Sequence, residues 1–449
     1  MNNDILHIQC PNNNIQERKY IIDVLLKQFL GIDYSIIYSD AVQNYELWYD
    51  NRKIIVEDHF FAKFSDNLEY MSSSHLPQSV NLLNIPLGSY PIIYGRSYFN
   101  EELDNLVCGL DIFASSFFML TRWEEFLLGR TTTGKCKEND LFIVRNKLYK
   151  RPIVNEYCFL LSSLLQKVGI STKVSHTFNV MLTHDVDRCN LTSISVLLYN
   201  LFQLLKKRNY KKTFLVFLRY MNYKLRLTNP FDSFAELMDI SERYNFRNSF
   251  YFKACLRNEK GYTYDITEPF VKERLHTILS RGHYVGFHPS ENTFYNNIQF
   301  TSEVERLQSV LPSHIIKGGR NHGLFYGNET FTQWNSTHIE YDSGYGFQFY
   351  NGFRCGCCYP FRVFDLFERK TLSLLEIPFV CMDSVVIRNH FTPNQMFEDM
   401  KQVIDEVYKY QGTVCLNFHS NMINTLEFKK YKKIYIALVE YLSKLSNSK

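Results

Sequence analysis

From about residue 175 to the end, short apolar runs alternate with longer amphipathic stretches, and this rhythm limits the fold more than any other feature of the chain. The runs with strand character are Phe178–Thr183, Asn248–Lys253, Tyr284–His288, Ile315–Gly319, Ile339–Asp342, Leu374–Phe379 and Thr413–Phe418. Most are separated by helical stretches, among them Glu268–Ser280, Ser302–Leu311, Pro393–Tyr410 and Phe428–Leu445. Parallel neighbours need a crossover between them, so the pattern predicts an α/β fold with a parallel sheet. Seven strands within 176–449 favour a deformed (β/α) barrel, closed or nearly so, over an open doubly wound sheet. No Gly-rich phosphate fingerprint follows the first run, which removes the main support for a nucleotide site.

The first 175 residues read differently. Glu17–Leu30 has amphipathic spacing, and Tyr45–Glu57 reads as two short strands about an Asp-Asn turn. Residues 111–129 place Phe113, Phe117, Leu120 and Trp123 at helical spacing, with Gly129 as a stop. The expected organisation is a smaller α+β accessory domain at 1–175, without a catalytic signature, followed by the barrel at 176–449, since 449 residues exceed one ordinary core. Arg122, Glu124 and Glu125 are expected on a solvated helix face rather than in an ion pair between the domains.

Charge and cysteine usage narrow the function classes. A balance of 50 Lys and Arg against 46 Asp and Glu, net +4, leaves no basic footprint for a nucleic acid. The eleven cysteines are odd in number and mostly set in apolar runs, which suits buried thiols of a reducing compartment. The chain starts without a basic segment leading into an apolar core, so a cytoplasmic location is expected. Cys355, Cys357 and Cys358 crowd too closely to surround a tetrahedral ion. One run, 205–226, holds eight Lys or Arg and no acid. A solvated helical insertion is the simpler expectation there, and peripheral contact with the inner face of a membrane is the alternative.

In a parallel barrel the chemistry collects where strands end. The first strand ends Thr183-His184-Asp185-Val186-Asp187, which sets two carboxylates two apart and hence on one side of an extended segment. The third ends with His288, the fourth runs into Gly318-Gly319-Arg320-Asn321-His322, and the last ends Asn417-Phe418-His419. A lone strand-end His or Asp is usually a surface or capping residue. Four such ends around one rim point to a functional site.

These residues, in this order, resemble the motifs of the polysaccharide deacetylases of the carbohydrate esterase family 4 type, over roughly Phe178 to Asn421. That resemblance implies a divalent metal, zinc or a similar ion, and an N-acetylated sugar or glycan as substrate. By the same resemblance Asp185 is the catalytic base, Asp187 and His288 are metal ligands, Arg320 orients the base and His419 is the general acid. The segments DIFASSFFMLTRWEE, YDSGYGF, GFRCGCCYPF and LEIPFVCMDS are similar to a bacterial branch that carries an extra N-terminal domain of unknown function and is linked with surface-polysaccharide assembly. Asp342 and Arg354, within two of those segments, are expected to contact substrate together with His322.

The sequence departs from the family at one ligand. The second motif usually has a further His four residues on, where this chain has Asn292. His283 would point to the opposite face of its strand, so His322 is expected as the third ligand, with contact to substrate alone as the other role open to it. The expected reaction is removal of an N-acetyl group by metal-activated water. Ser115, Ser116 and Ser420 offer no nucleophile elbow. Two other readings stand beside this one: a lapsed, carbohydrate-binding or scaffold protein, and another linear-amide hydrolase on the same barrel.

Overall fold

The structure is a computed structural model that describes residues 5–448, apart from 103–104, 190–200, 203–204, 207, 209, 226–228, 230, 258, 260–261, 312, 390 and 426–427. Among the described residues, eight strands precede the repeating region: Leu6–Cys10 (β1), Tyr34–Tyr38 (β2), Tyr45–Tyr49 (β3), Arg52–Val56 (β4), Asn81–Ile85 (β5), Gly88–Ile92 (β6), Gly95–Glu101 (β7) and Asn105–Leu110 (β8). Six of them form a mixed sheet in the order β2-β1-β3-β4-β8-β7, and β5 pairs with β6 alone. The β3–β4 hairpin turns at Asp50, whose positive φ of 50° suits the short polar side chain found there. The helix foreseen from Glu17 starts earlier, at Ile15, and its second half, Asp23–Phe29, is π-helical. The helix foreseen over 111–129 is shorter. Asp111 caps it by accepting from the Ala114 N–H at 2.9 Å, and it ends at Thr121, where Arg122 adopts a left-handed conformation.

The repeating region supplies Asn179–Val186 (β9), Asn248–Phe252 (β10), Tyr284–Phe287 (β11), Gly318–Gly319 (β12), Tyr341–Asp342 (β13), Phe361–Asp365 (β14), Lys370–Glu376 (β15), Cys381–Met382 (β16) and Thr413–Asn417 (β17). They form one nine-stranded sheet in the order β14-β15-β13-β12-β11-β10-β9-β17-β16. All its pairings are parallel except β14 with β15. Strands such as β10, buried along their whole length, are the continuous apolar runs that a sheet covered on both faces requires.

The expected barrel closure is not seen: among the described residues the edge strands β14 and β16 do not pair. Three members, β12, β13 and β16, are only two residues long; β12 and β13 still pair on both sides, while β16 forms an edge. Two strands were not anticipated, β16 and the hairpin strand β14, which reaches its neighbour by a turn rather than a helix. At β12 the sheet leaves no room for side chains, since a Cβ on Gly319 would collide with the Phe287 carbonyl.

The region before residue 170 is tied to the sheet-bearing remainder by buried polar contacts. Glu125 accepts from Arg354 at 2.9 Å and pairs with Arg122 at 2.6 Å and Arg130 at 3.4 Å. Glu138 also pairs with Arg354, at 2.9 Å. The expectation of a solvated face at Arg122, Glu124 and Glu125 is therefore corrected: all three are buried. Loops more than two hundred residues away supply much of their surroundings, Arg354 on Glu125 and the Tyr345 ring over Arg122. No helix among the described residues is long and apolar enough to cross a membrane.

Candidate active site

Because neighbouring strands run in parallel, their C-terminal ends share one rim. Register aligns Asp185 of β9 with Tyr251 of β10, Phe287 of β11 with Gly319 of β12, and Asn417 of β17 with Thr183 of β9. The residues just beyond these ends, Asp187, Lys253, His288, Arg320 and His419, are thereby drawn together although the sequence scatters them over more than two hundred positions.

Alternation along β9 divides its side chains between two environments. His184 turns away, stacks on Phe250 at 4.9 Å and bonds through Nδ1 to the Phe418 carbonyl at 2.7 Å. Burial lowers its pKa to about 4, so it serves as a neutral packing residue. Asp185 faces the rim, where Arg320 Nη1 donates to its Oδ1 at 2.9 Å and Asn417 Nδ2 to its Oδ2 at 2.7 Å. Arg320 is fully buried, donates also to Thr183 Oγ1 at 3.0 Å, and lies over the Phe379 and Tyr251 rings. Burial of Asp185 works against its charge, but Arg320 beside it, helped by His288 and His419, holds the carboxyl below the usual range.

Asp187, His288 and His322 form the candidate metal site, their ligand atoms all within 4.8 Å of one another. His288 Nδ1 faces the Arg320 carbonyl at 2.6 Å, and since a carbonyl only accepts, this nitrogen carries the proton and Nε2 is left with its lone pair. Nε2 stands 3.5 Å from Asp187 Oδ1, and His322 Nε2 stands 3.4 Å from the same oxygen. His322 reaches this place because its backbone N–H donates to Pro289 O at 3.1 Å, joining the loop after β12 to the loop after β11. Asn321 secures that loop, accepting from Trp334 Nε1 at 3.0 Å and donating to Phe325 O at 2.7 Å.

One carboxylate and two imidazoles suit zinc or a similar divalent ion. The fit is supported by two buried atoms, His288 Nε2 and Asp187 Oδ1, that have no hydrogen-bond partner. Burial lowers the His322 pKa to about 3, which keeps its ring neutral as a ligand must be. Asp187 is held well below the usual range: its burial opposes ionisation, but Lys253, its Nζ 3.3 Å away, outweighs that cost together with the surrounding histidines.

His419 completes the rim. Its Nδ1 lies 2.7 Å from Asp383 Oδ1, its backbone N–H donates to Asp383 Oδ2 at 2.8 Å, and its Nε2 faces Asp187 Oδ2 at 3.8 Å and Asp185 Oδ2 at 4.0 Å. Burial disfavours the imidazolium, yet Asp383 and the two rim carboxylates raise its pKa to about 10. Asp185, Asp187, His288, His322 and His419 all line one cavity of about 250 Å³, whose walls include Leu324, Met382 and Met422 and the polar side chains of Gln348, Arg388 and Asn421.

Two expected substrate contacts are placed elsewhere. Arg354 is committed to Glu125 and Glu138, and Asp342 is fully buried, accepting from the Tyr326 hydroxyl beside Glu376. His283, which precedes β11, accepts from the Asn248 N–H and pairs with Glu242, away from the triad. Three residues of the rim were missed in the sequence. Asp383 follows β16 inside the segment LEIPFVCMDS, Asn417 stands two residues before His419, and Lys253 ends the run of β10. Each sits at a strand end, which is the signal that finds the others.

Residues 6–170 match a family of unknown function, DUF7033. No curated protein matches the chain. Among solved structures, the chain is similar to a protein of Mycobacterium smegmatis assigned as a polysaccharide deacetylase, at 14% identity and a TM-score of 0.39, over 62% of this chain and 87% of that one. It is similar also to a protein of Bordetella bronchiseptica assigned as a polysaccharide deacetylase involved in O-antigen biosynthesis, at 14% identity and a TM-score of 0.32, over 61% of this chain and 86% of the other.

Proposed function

We propose that the chain is a metal-dependent hydrolase that removes the N-acetyl group from a sugar of a glycan or glycan precursor, with the rim on 176–449 as its active site and 1–175 as an accessory domain. The observation that carries this reading is the grouping of the Asp187, His288 and His322 donors with an Arg-held carboxylate and an Asp-held imidazole around one cavity. Asp187, His288 and His322 would hold zinc or a similar ion, which when bound supplies Lewis-acid polarisation of an amide carbonyl and acidifies water. Asp185, kept ionised by Arg320, accepts the proton of the attacking water. His419, kept protonated by Asp383, donates its Nε2 proton to the departing nitrogen, since an amine anion is too poor a leaving group. Arg320 and Asn417 fix the base by engaging one oxygen each. Leu324, Met382 and Met422 would offer an apolar wall to an acetyl methyl, and Gln348, Arg388 and Asn421, which line the same cavity, would meet hydroxyls of the sugar.

Elemental mass spectrometry of the purified protein, with acetate release from N-acetyl sugars, tests the proposal. About one zinc or similar ion per chain is expected in the wild type. Asp187→Ala and His288→Ala should lose the ion, and Asp185→Asn should keep it while turnover falls by about 10²–10⁴-fold. A chain that takes up no ion after incubation with zinc, cobalt or nickel would overturn the reading in favour of a binding protein.

A further inference from the structure

Tyr210–Lys224 is a helix of fifteen residues, and a row of its large apolar side chains faces solvent. Tyr210, Phe214, Phe217 and Met221 are 65%, 60%, 46% and 38% exposed, and Leu225 continues the row at 62%. Their spacings of four, three, four and four put all five on one helical face. Phe202 and Leu205 are exposed just upstream. Scattered apolar residues are normal on a protein surface, but a continuous row of this kind marks a contact.

Charge identifies what the row fits. The run 205–226 carries eight Lys or Arg and no acid, and outside it 42 basic residues stand against 46 acidic ones. The positive charge of the chain is thus concentrated beside this apolar row, where Lys206, Arg208 and Lys211 are exposed. A second copy of the chain would bring like charge against like charge. We propose that this helix docks the protein on an anionic phospholipid surface, with the Tyr210–Leu225 row entering the acyl boundary and the flanking cations set against lipid phosphates. The proposal is independent of the reaction at the sheet rim.

Flotation of the full-length chain with vesicles tests it. With phosphatidylcholine vesicles containing about 30 mol% phosphatidylglycerol, at about 0.15 M salt, most of the protein should float, and at least about tenfold less should float with phosphatidylcholine alone. Phe214→Glu with Phe217→Glu, at exposed positions, should leave the melting temperature unchanged and cut flotation at least about tenfold. If that pair lowers the melting temperature, Met221→Glu alone serves, with the same loss expected. Absence of flotation with anionic vesicles, or undiminished flotation of the folded variants, would overturn the proposal. So would a dimer in light scattering that these variants dissolve while none of the forms floats, because the row would then join two copies.

Discussion

Two clusters in this protein each set a carboxylate among several basic side chains, yet they differ in what they can do. Glu125 is met by Arg122, Arg130 and Arg354, with contacts as short as 2.6 Å, and the guanidinium faces are covered by rings, Arg122 by Tyr345 at 3.7 Å and Arg130 by Phe126 at 4.7 Å. Its pKa is lowered to about 2, because although burial works against the charge the three guanidinium groups together outweigh it. Asp187 is met by Lys253, His288 and His322 at 3.3, 3.5 and 3.4 Å, and its Oδ1 and the His288 Nε2 have no hydrogen-bond partner. Opposite charges in close contact are common to both, although Glu125 and its arginines are buried and Asp187 and His322 only half-buried. What sets the second apart is donor atoms with uncommitted lone pairs beside a cavity, and that is the property of a binding site.

The contrast can be broken most sharply at Glu125. Replacing it by Ala leaves three buried cations without their shared partner and should cost about 3–5 kcal/mol in urea unfolding, with zinc affinity of the folded protein unchanged. His322→Ala should do the reverse, altering stability by less than about 1 kcal/mol while weakening zinc binding in calorimetry. Equal stability losses in the two variants would erase the distinction.

His419 gives a prediction in pH. Its folded pKa of about 10 lies above the ordinary value, so its contribution to stability is complete below about pH 6.5 and is lost as pH rises through 10. Asp383→Asn should flatten that decline in unfolding free energy between about pH 7 and 10, and should lower turnover by about ten- to hundredfold. An unaltered slope would show that Asp383 does not hold the imidazolium.

The smallest effect is expected at Lys253, whose ammonium competes for the Asp187 carboxylate. Lys253→Met should tighten zinc binding by about tenfold in calorimetry, and weaker binding would mean that the lysine shapes the site rather than opposing the ion.

The sequence by itself determined the alternation of strand and helix, and with it the rule that chemistry belongs at strand ends. Asp185, Asp187, His288, Arg320, His322 and His419 were all legible on that basis, because each ends or closely follows an apolar run, and the structure brings the six together. Only the tertiary structure decided how the sheet ends. Among the described residues its edge strands β14 and β16 do not pair, and the brevity of β12, β13 and β16 is invisible in runs that look longer, as Ile315–Gly319 does. Long-range packing also decided that Arg122, Glu124 and Glu125 are buried, that Arg354 belongs to their ion pairs instead of the cavity, and that Asp383, Asn417 and Lys253 complete the rim. Local periodicity records which face a side chain takes on its own element, whereas its partner is fixed by strands and loops that arrive from far along the chain.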